Sequence, residues 1–292
     1  MKRIGIDLGG TKIEGVLIDE NDQMLQRIRK STDQSRGYEF ILTNITDLVN
    51  SLKTDKDESY RVGVCTPGAI EPATGAIKNS NTICLINKPF QADLEQKVGH
   101  RIKIENDANC FAKAEAFSGA GKGHGIVFGV IMGTGVGGGI VINQKIIQGN
   151  MHIAGEWGHH TLHPDGNLCY CGKNGCVETY ISGPALERRW AELTGSNLQL
   201  RDIVNTVNRS DDIKELQWKE EFLDNFGLAL SNVINILDPD IIVLGGGVSN
   251  IPFLYDDGIE HVSKYVFSGQ LETLIVENKL GDSAGVIGAA YL

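Results

Sequence analysis

Three cysteines fall within eight residues in the stretch HHTLHPDGNLCYCGKNGC, from His159 to Cys176. Their spacing, Cys169-x-Cys171-x4-Cys176, suits metal ligation better than redox work, which usually shows C-x-x-C. An odd number of thiols also argues against a closed disulfide loop. Tetrahedral zinc takes four Cys/His ligands, and His152, His159, His160 and His163 all lie upstream as candidates for the fourth. Four protein ligands leave a metal no open position, so such an ion would be structural and not catalytic. Glu156 and Glu178 flank the stretch. By composition alone each reads as a solvated surface residue.

A second chemistry is written in glycine. Asp7-Leu8-Gly9-Gly10-Thr11-Lys12 sets a strand-end carboxylate beside a turn that bares backbone N–H groups. Such N–H groups cradle phosphate oxygens, a Thr hydroxyl adds a donor, and the carboxylate can hold hydrated Mg2+. Gly133-Thr134-Gly135 offers a second cradle, and Gly245-Gly246-Gly247 forms a third cluster. Tight hairpins would also use glycine at these places, but three clusters together point to a nucleotide. GTGVGG, from Gly133 to Gly138, matches the dinucleotide fingerprint, yet that fingerprint must open a helix and here GIVIN follows. No G-x-x-x-x-G-K-[ST] run is present. Asn106-Asp107 sits where a strand meets a helix. It reads as an N-cap or as a general base aimed at a substrate hydroxyl.

The elements that must position these groups alternate. Ile4–Asp7 and Gly15–Ile18 are β-like runs joined by the first glycine turn. Tyr38–Lys53 carries Ile41, Ile45, Leu48, Val49 and Leu52 at helical spacing. RVGVCTPGAI is a short strand stopped at Pro67-Gly68, Phe90–Gly99 a helix, RIKIEND a strand, and Asn106–Gly121 a helix under an Asn or Asp cap. Ile126–Asn143 then repeats the opening design of strand, Gly/Thr turn and strand, which suggests two related domains. SGAGKGHG, from Ser118 to Gly125, is the expected hinge. Beyond the cysteines the chain reads as helical from Pro184 to about Leu237, IIVLGGG as a buried strand, and GVIGAAYL as a short small-residue helix. Cys65, Cys84 and Cys110 sit in apolar settings and read as small core residues.

The 292 residues suit two domains of ordinary size. A formal net charge of −10 argues against a nucleic-acid surface, which needs clustered Lys and Arg. No run of apolar residues is long enough to span a membrane, and MKRIGIDLGG enters a strand at once with no signal-peptide pattern. A cytoplasmic protein with reduced cysteines is the expectation.

Together, IGIDLGGTK, CTPGAI, ENDANCFAKAE, MGTGVGGGIV, AGEWGHH, CYCGKNGCVETYISG, ILDPDIIVLGGGVSN and GDSAGVIGAA resemble the ROK family of sugar kinases and repressors, end to end. The resemblance implies an α/β, actin-like ATPase (ribonuclease H-like) fold of two related domains with an active-site cleft between them. The smaller domain would take residues 1–118 plus 279–292, and the larger, zinc-bearing domain 119–278. His159, from the family's E-x-G-H motif, would join Cys169, Cys171 and Cys176 on zinc. Gly68, Asn106, Asp107, Glu156, His159 and Glu178 would contact sugar, with Asp107 the catalytic base. Asp7, Gly9, Gly10, Thr11, Lys12, Gly133, Thr134 and Gly135 would serve the ATP phosphates and Mg2+, and Gly245, Gly246 and Gly247 the adenosine.

Family repressors resemble this chain plus an N-terminal helix-turn-helix domain, for which nothing precedes Asp7 with room to spare. The expected activity is therefore ATP-dependent phosphorylation of a hexose 6-hydroxyl, with no nucleic acid or membrane partner. Dimers are common in the family, so a homodimer is the assembly suggested. PGAIEPATGAIKNSN, AGEWGHH, CYCGKNGCVETYISG and YVFSGQLET look most like the fructokinase (manno-fructokinase) branch. The short segment His160–Leu168 departs from that branch, where a longer insert is frequent. The order of expectation is fructose (with mannose), then N-acetylglucosamine, then glucose.

Overall fold

The computed structural model describes residues 1–55, 59–72, 74–78, 80, 82–209 and 211–292. Part of the segment Pro67–Asn81, namely Ala73, Asn79 and Asn81, lies outside the described residues. The chain forms two compact units: Met1–Lys122 with Gln144–Ala154 and Leu280–Leu292, and Gly123–Asn143 with Gly155–Lys279. The first boundary falls inside the glycine-rich segment Ser118–Gly125. Residues 119–122 and Gln144–Ala154 group with the first unit, where the domain limits read from sequence gave them to the second. The reason is local contact. Lys113 donates to Gln144 O at 2.5 Å, and Glu115 accepts from Ala120 N at 2.7 Å.

In unit 1, strands β1 (Lys2–Leu8), β2 (Lys12–Ile18), β3 (Met24–Ser31), β4 (Tyr60–Thr66) and β7 (Ile102–Asn106) run in the order β3-β2-β1-β4-β7. β1 pairs antiparallel with β2 and parallel with β4, and β4 pairs parallel with β7. Between β4 and β7 lie a small hairpin, β5 (Ala69–Ile70) and β6 (Ile77–Lys78), and helix α2 (Phe90–Val98). Helix α1 (Tyr38–Leu52) buries Ile41, Ile45, Leu48, Val49 and Leu52 completely, as its periodicity dictates. Helix α3 (Asp107–Ser118) follows β7 without a loop, and α9 (Ala284–Ala290) packs against α3, β1 and β4. Small residues make that last packing feasible. A Cβ on Gly63 would stand 1.9 Å from Ala289 O, and one on Gly288 1.9 Å from Cys110 O.

Unit 2 repeats the design. β8 (Ile126–Met132) pairs antiparallel with β9 (Val136–Ile142) and parallel with β11 (Ile241–Gly245), which pairs parallel with β12 (Leu274–Glu277). The short strand β10 (Lys145–Ile146) belongs to the residues grouped with unit 1. The region expected to be helical from Pro184 to Leu237 is broken into α5 (Gly183–Thr194), α6 (Leu200–Val207) and α7 (Ile213–Leu237), after a single turn, α4 (Glu178–Ile181). Gly195, at φ 76°, ends α5. Helix α8 (Asp257–Tyr265) and β12 carry no strong sequence signal and are held by packing on α7 and β11. Among the described residues no helix is long and apolar enough to cross a membrane.

Candidate active site and metal centre

In unit 1 the catalytic candidates sit at the C-terminal ends of parallel strands. Asn106 ends β7 and caps α3: its Oδ1 accepts from Asn109 N at 2.8 Å. The cap reading therefore holds for Asn106, and capping occupies the amide oxygen while leaving Nδ2 to donate elsewhere. Asp107 is the first residue of α3, keeps access to solvent, and accepts from Ala108 N at 2.9 Å. Loss of surrounding water pushes its carboxyl above the ordinary value despite that hydrogen bond. Asp7, at the end of β1, is raised in the same way. Its hydrogen bond with Cys65 works against the shift and the charge of Asp107 adds to it. A carboxylate whose proton affinity is raised by burial and by a neighbouring carboxylate suits a cation beside it.

The glycine turns are open to a ligand in a way packing does not demand. Gly9 N donates to Lys12 O at 2.9 Å, and Thr32 Oγ1 donates to Gly9 O at 2.7 Å, which fixes the first turn. A Cβ added at Gly10, Gly133 or Gly247 would meet nothing within 4 Å, and none of the three has a positive φ. The chain itself does not require glycine there, whereas a phosphate or sugar ring approaching the backbone would. Gly246 differs: its φ is 83°, and its Cβ would lie 2.4 Å from Met132 O, beside the second turn. Lys12 is half exposed, with its Nζ 3.9 Å from Glu14 Oε2. The strand β9 that follows Gly133-Thr134-Gly135 excludes the dinucleotide fingerprint.

In unit 2 the glycines of β9 receive the segment that bears Glu156 and His159. Trp157 is buried, donates Nε1 to Gly137 O at 3.0 Å, and meets Phe128 edge-on. A Cβ at Gly138 would lie 2.6 Å from the Trp157 ring, and one at Gly158 2.1 Å from Val136 O. Glu156 thus leads into the short turn Trp157–His159, whose last residue faces the cysteines. Glu178 opens α4 immediately after Cys176 and Val177, and its Oε2 accepts from Val136 N at 2.9 Å. Gly68, in unit 1, has φ 88°, and a Cβ there would stand 2.5 Å from Lys78 O.

The side chains of His159, Cys169, Cys171 and Cys176 converge, with all four ligand atoms within 4.8 Å of one another. Cys169 Sγ lies 3.6 Å from His159 Nδ1, and Cys171 Sγ 3.6 Å from Cys176 Sγ. Tetrahedral zinc with bonds of about 2.0–2.3 Å sets its ligand atoms roughly 3.5 Å apart, so the donor set fits. Two of the other candidate histidines have partners elsewhere. His160 Nδ1 is 2.7 Å from Trp157 O, and His163 Nε2 is 2.6 Å from Asn225 Oδ1. The loop is shaped by Gly175, φ 72°, where a Cβ would strike His163 O at 1.6 Å. Tyr170 was not read as functional from sequence. Its hydroxyl is 3.0 Å from His159 Nε2, and the two rings meet edge-on. Partial desolvation, then the charges of Glu178, Cys169 and Glu156, push that hydroxyl up to about 12.

A model of the ROK family matches residues 3–292. An N-acetyl-D-glucosamine kinase of Aliivibrio salmonicida is 34% identical over 298 residues, covering 99% of this chain and 98% of that one. The fold is similar to the ROK hexokinase of Thermus thermophilus, with a TM-score of 0.89, 30% identity, and 100% and 97% of the two chains covered. It is also similar to a ROK family glucokinase from Streptomyces griseus, in complex with glucose and AMPPNP, with a TM-score of 0.76, 30% identity, and 99% and 98% covered.

Proposed function

This chain belongs to the ROK family, and from that premise we propose that it transfers the γ-phosphoryl group of ATP to the 6-hydroxyl of N-acetyl-D-glucosamine. That it is a sugar kinase rests on the family match and on relatives with that activity spanning its whole length. The choice of sugar draws on the N-acetyl-D-glucosamine kinases at 33–35% identity. These move N-acetylglucosamine ahead of fructose, which the sequence motifs placed first.

The observation that carries the reading is Asp107, a solvent-reachable carboxylate at the start of α3 with a raised proton affinity, next to an Asn106 whose Nδ2 remains to donate. Asp107 accepts the proton of the attacking hydroxyl while Asn106 holds that hydroxyl in line. Glu156, His159 and Glu178 receive the remaining sugar hydroxyls, with Gly68 lining the site. A hydroxyl on His159 Nε2 replaces the Tyr170 bond seen here. Backbone N–H groups at Gly10, Thr11, Thr134 and Gly135 neutralise charge on the phosphates, while those of Gly9 and Gly133 close the two turns by donating to Lys12 O and Gly135 O. Lys12 adds a cation, and the stretch Gly245–Gly247 borders the adenosine. Phosphoryl transfer passes through a loose transition state, so positioning and charge neutralisation supply most of the rate. Asp7 would hold a hydrated Mg2+, which would supply charge neutralisation for the phosphates. The His159/Cys169/Cys171/Cys176 set fits a structural Zn2+, which does no chemistry and anchors the segments bearing Glu156 and Glu178.

A coupled ADP-release assay across N-acetylglucosamine, fructose, mannose, glucose and N-acetylmannosamine tests this. The highest kcat/KM is expected with N-acetylglucosamine. A fructose optimum overturns the choice of sugar, and ADP from none of them overturns the kinase.

A further inference from the structure

Unit 1 contains a cavity of about 430 Å³, most of whose lining the phosphoryl-transfer reading does not use. It lies along the edge strand β7 and the first turns of α3, and Tyr291 and Leu292 close one side. Gly68 and Asn106, which are also given to the sugar, are among its lining residues, and Asp107 does not line it. In a chain of net charge −10 its wall is unusually basic: Lys103, Lys113, Lys145 and His152 all contribute, against Glu105.

Two buried groups in this wall are incompletely satisfied. Lys113 is only 8% exposed; its Nζ donates to Gln144 O at 2.5 Å and stands 4.2 Å over the Phe117 ring. Among the described residues no ion pair to it is found; burial, then the charge of Lys103, pushes it down to about 8, so at neutral pH it remains mostly charged and keeps unused donors. Asn109 is 6% exposed. Its Nδ2 donates to Glu105 Oε2 at 3.0 Å, and its Oδ1 has no partner. Turning the amide over would only orphan the other end. Glu105 is held by Asn109 and by Gln148, and burial pushes its carboxyl up, which weakens it as a counter-ion for the lysines.

One kind of molecule satisfies both groups. Lys113, with Lys103 and Lys145 at the mouth, calls for an oxyanion, and Asn109 Oδ1 calls for a hydroxyl donor. We propose that this cavity is a second, non-catalytic site for a sugar phosphate, the class of molecule that the enzyme releases. The choice of sugar phosphate over another hydroxylated anion rests on the kinase reading; the existence of the site does not. Its ligand would be felt at the reaction centre through one bond, because Asn109 N also donates to the Asn106 cap. The expected inhibition by the product is therefore partly non-competitive with sugar.

The test is a calorimetric titration with the hexose 6-phosphate of whichever sugar the turnover assay selects. Saturating sugar and a non-hydrolysable ATP analogue block the primary site throughout. One equivalent should bind to the wild-type chain, and at least tenfold more weakly to Lys113→Met and to the exposed rim variant Lys103→Glu. Both variants should keep the wild-type initial rate. No binding to the blocked wild type, or equal binding to both variants, overturns the site. Inorganic phosphate run alone should bind more weakly, and equal affinity overturns the role given to Asn109. Binding is read without turnover, so its failure is distinct from failure of the kinase assignment.

Discussion

Glu178 Oε2 accepts the amide hydrogen of Val136 at 2.9 Å, and this one bond joins a residue two positions past the last clustered cysteine, Cys176, to the residue after the second glycine turn. A Cβ on Gly135 would come within 2.7 Å of the same oxygen. A side chain assigned to the sugar thus also fixes the turn assigned to phosphate. Glu178→Gln keeps an acceptor for Val136 N and should raise the KM for sugar far more than that for ATP. Glu178→Ala leaves that N–H unsatisfied, at about 1–3 kcal/mol, and should raise both. Steady-state kinetics of the two variants distinguish these outcomes, and equal effects on ATP would refute the coupling.

Metal content offers a second prediction. Purified protein should contain one zinc per chain, lost in Cys176→Ser, and chelation should lower Tm and sugar affinity more than ATP affinity. Tyr170→Phe removes the bond to His159 Nε2 that orients the imidazole. A lost orienting partner typically costs about 10–100-fold in metal affinity, which competition with a chromophoric chelator would register. Active protein free of zinc would refute the structural role.

Asp107 gives a pH prediction whose sign follows from its raised carboxyl. As pH falls through that raised value the base is protonated, so kcat/KM should decline on an acid limb lying above the ordinary carboxylate value of 3.8. The folded state binds this proton more tightly than the unfolded state does. Stability therefore falls as pH rises from 3.8 through the folded value. Asp107→Asn should lose roughly 10²–10⁴ in kcat while becoming less pH-sensitive in denaturant melts and more stable at neutral pH. A folded variant with wild-type turnover would remove Asp107 from the mechanism.

Glu14 was silent in the sequence and is the strongest buried charge in β2. It is 1% exposed and accepts from Arg27 Nε at 2.5 Å and Arg29 Nε at 2.7 Å, across the β2–β3 pair. Replacing both arginines by Ala leaves the buried carboxylate only the more distant Lys12, at 3.9 Å, and should cost about 3 kcal/mol. Replacing Glu14 by Gln leaves two half-exposed arginines that water can reach and should cost less. Urea melts of the two proteins would show the reverse order if the burial argument fails.

Much of this protein was set by local pattern. The strand-like runs Ile4–Asp7 and Ile126–Met132, the 3.6-residue spacing in α1, the Asn106 cap and the Cys169/Cys171/Cys176 spacing are all short-range, so local pattern and residue type suffice to read them. Spacing alone could not choose among four histidines. Only the packing of Trp157 against Gly137 and Gly138 turns His159 towards the sulfurs while His160 and His163 find partners in α7. The Glu14 pairs, the Tyr170 bond to His159 and the basic wall around Lys113 join residues through tertiary contact, and Lys113 reads in isolation as one more solvated helix lysine. Burial decided these. A lysine or glutamate has no written sign of how much water it will keep, and that quantity exists only once the strands and helices have packed.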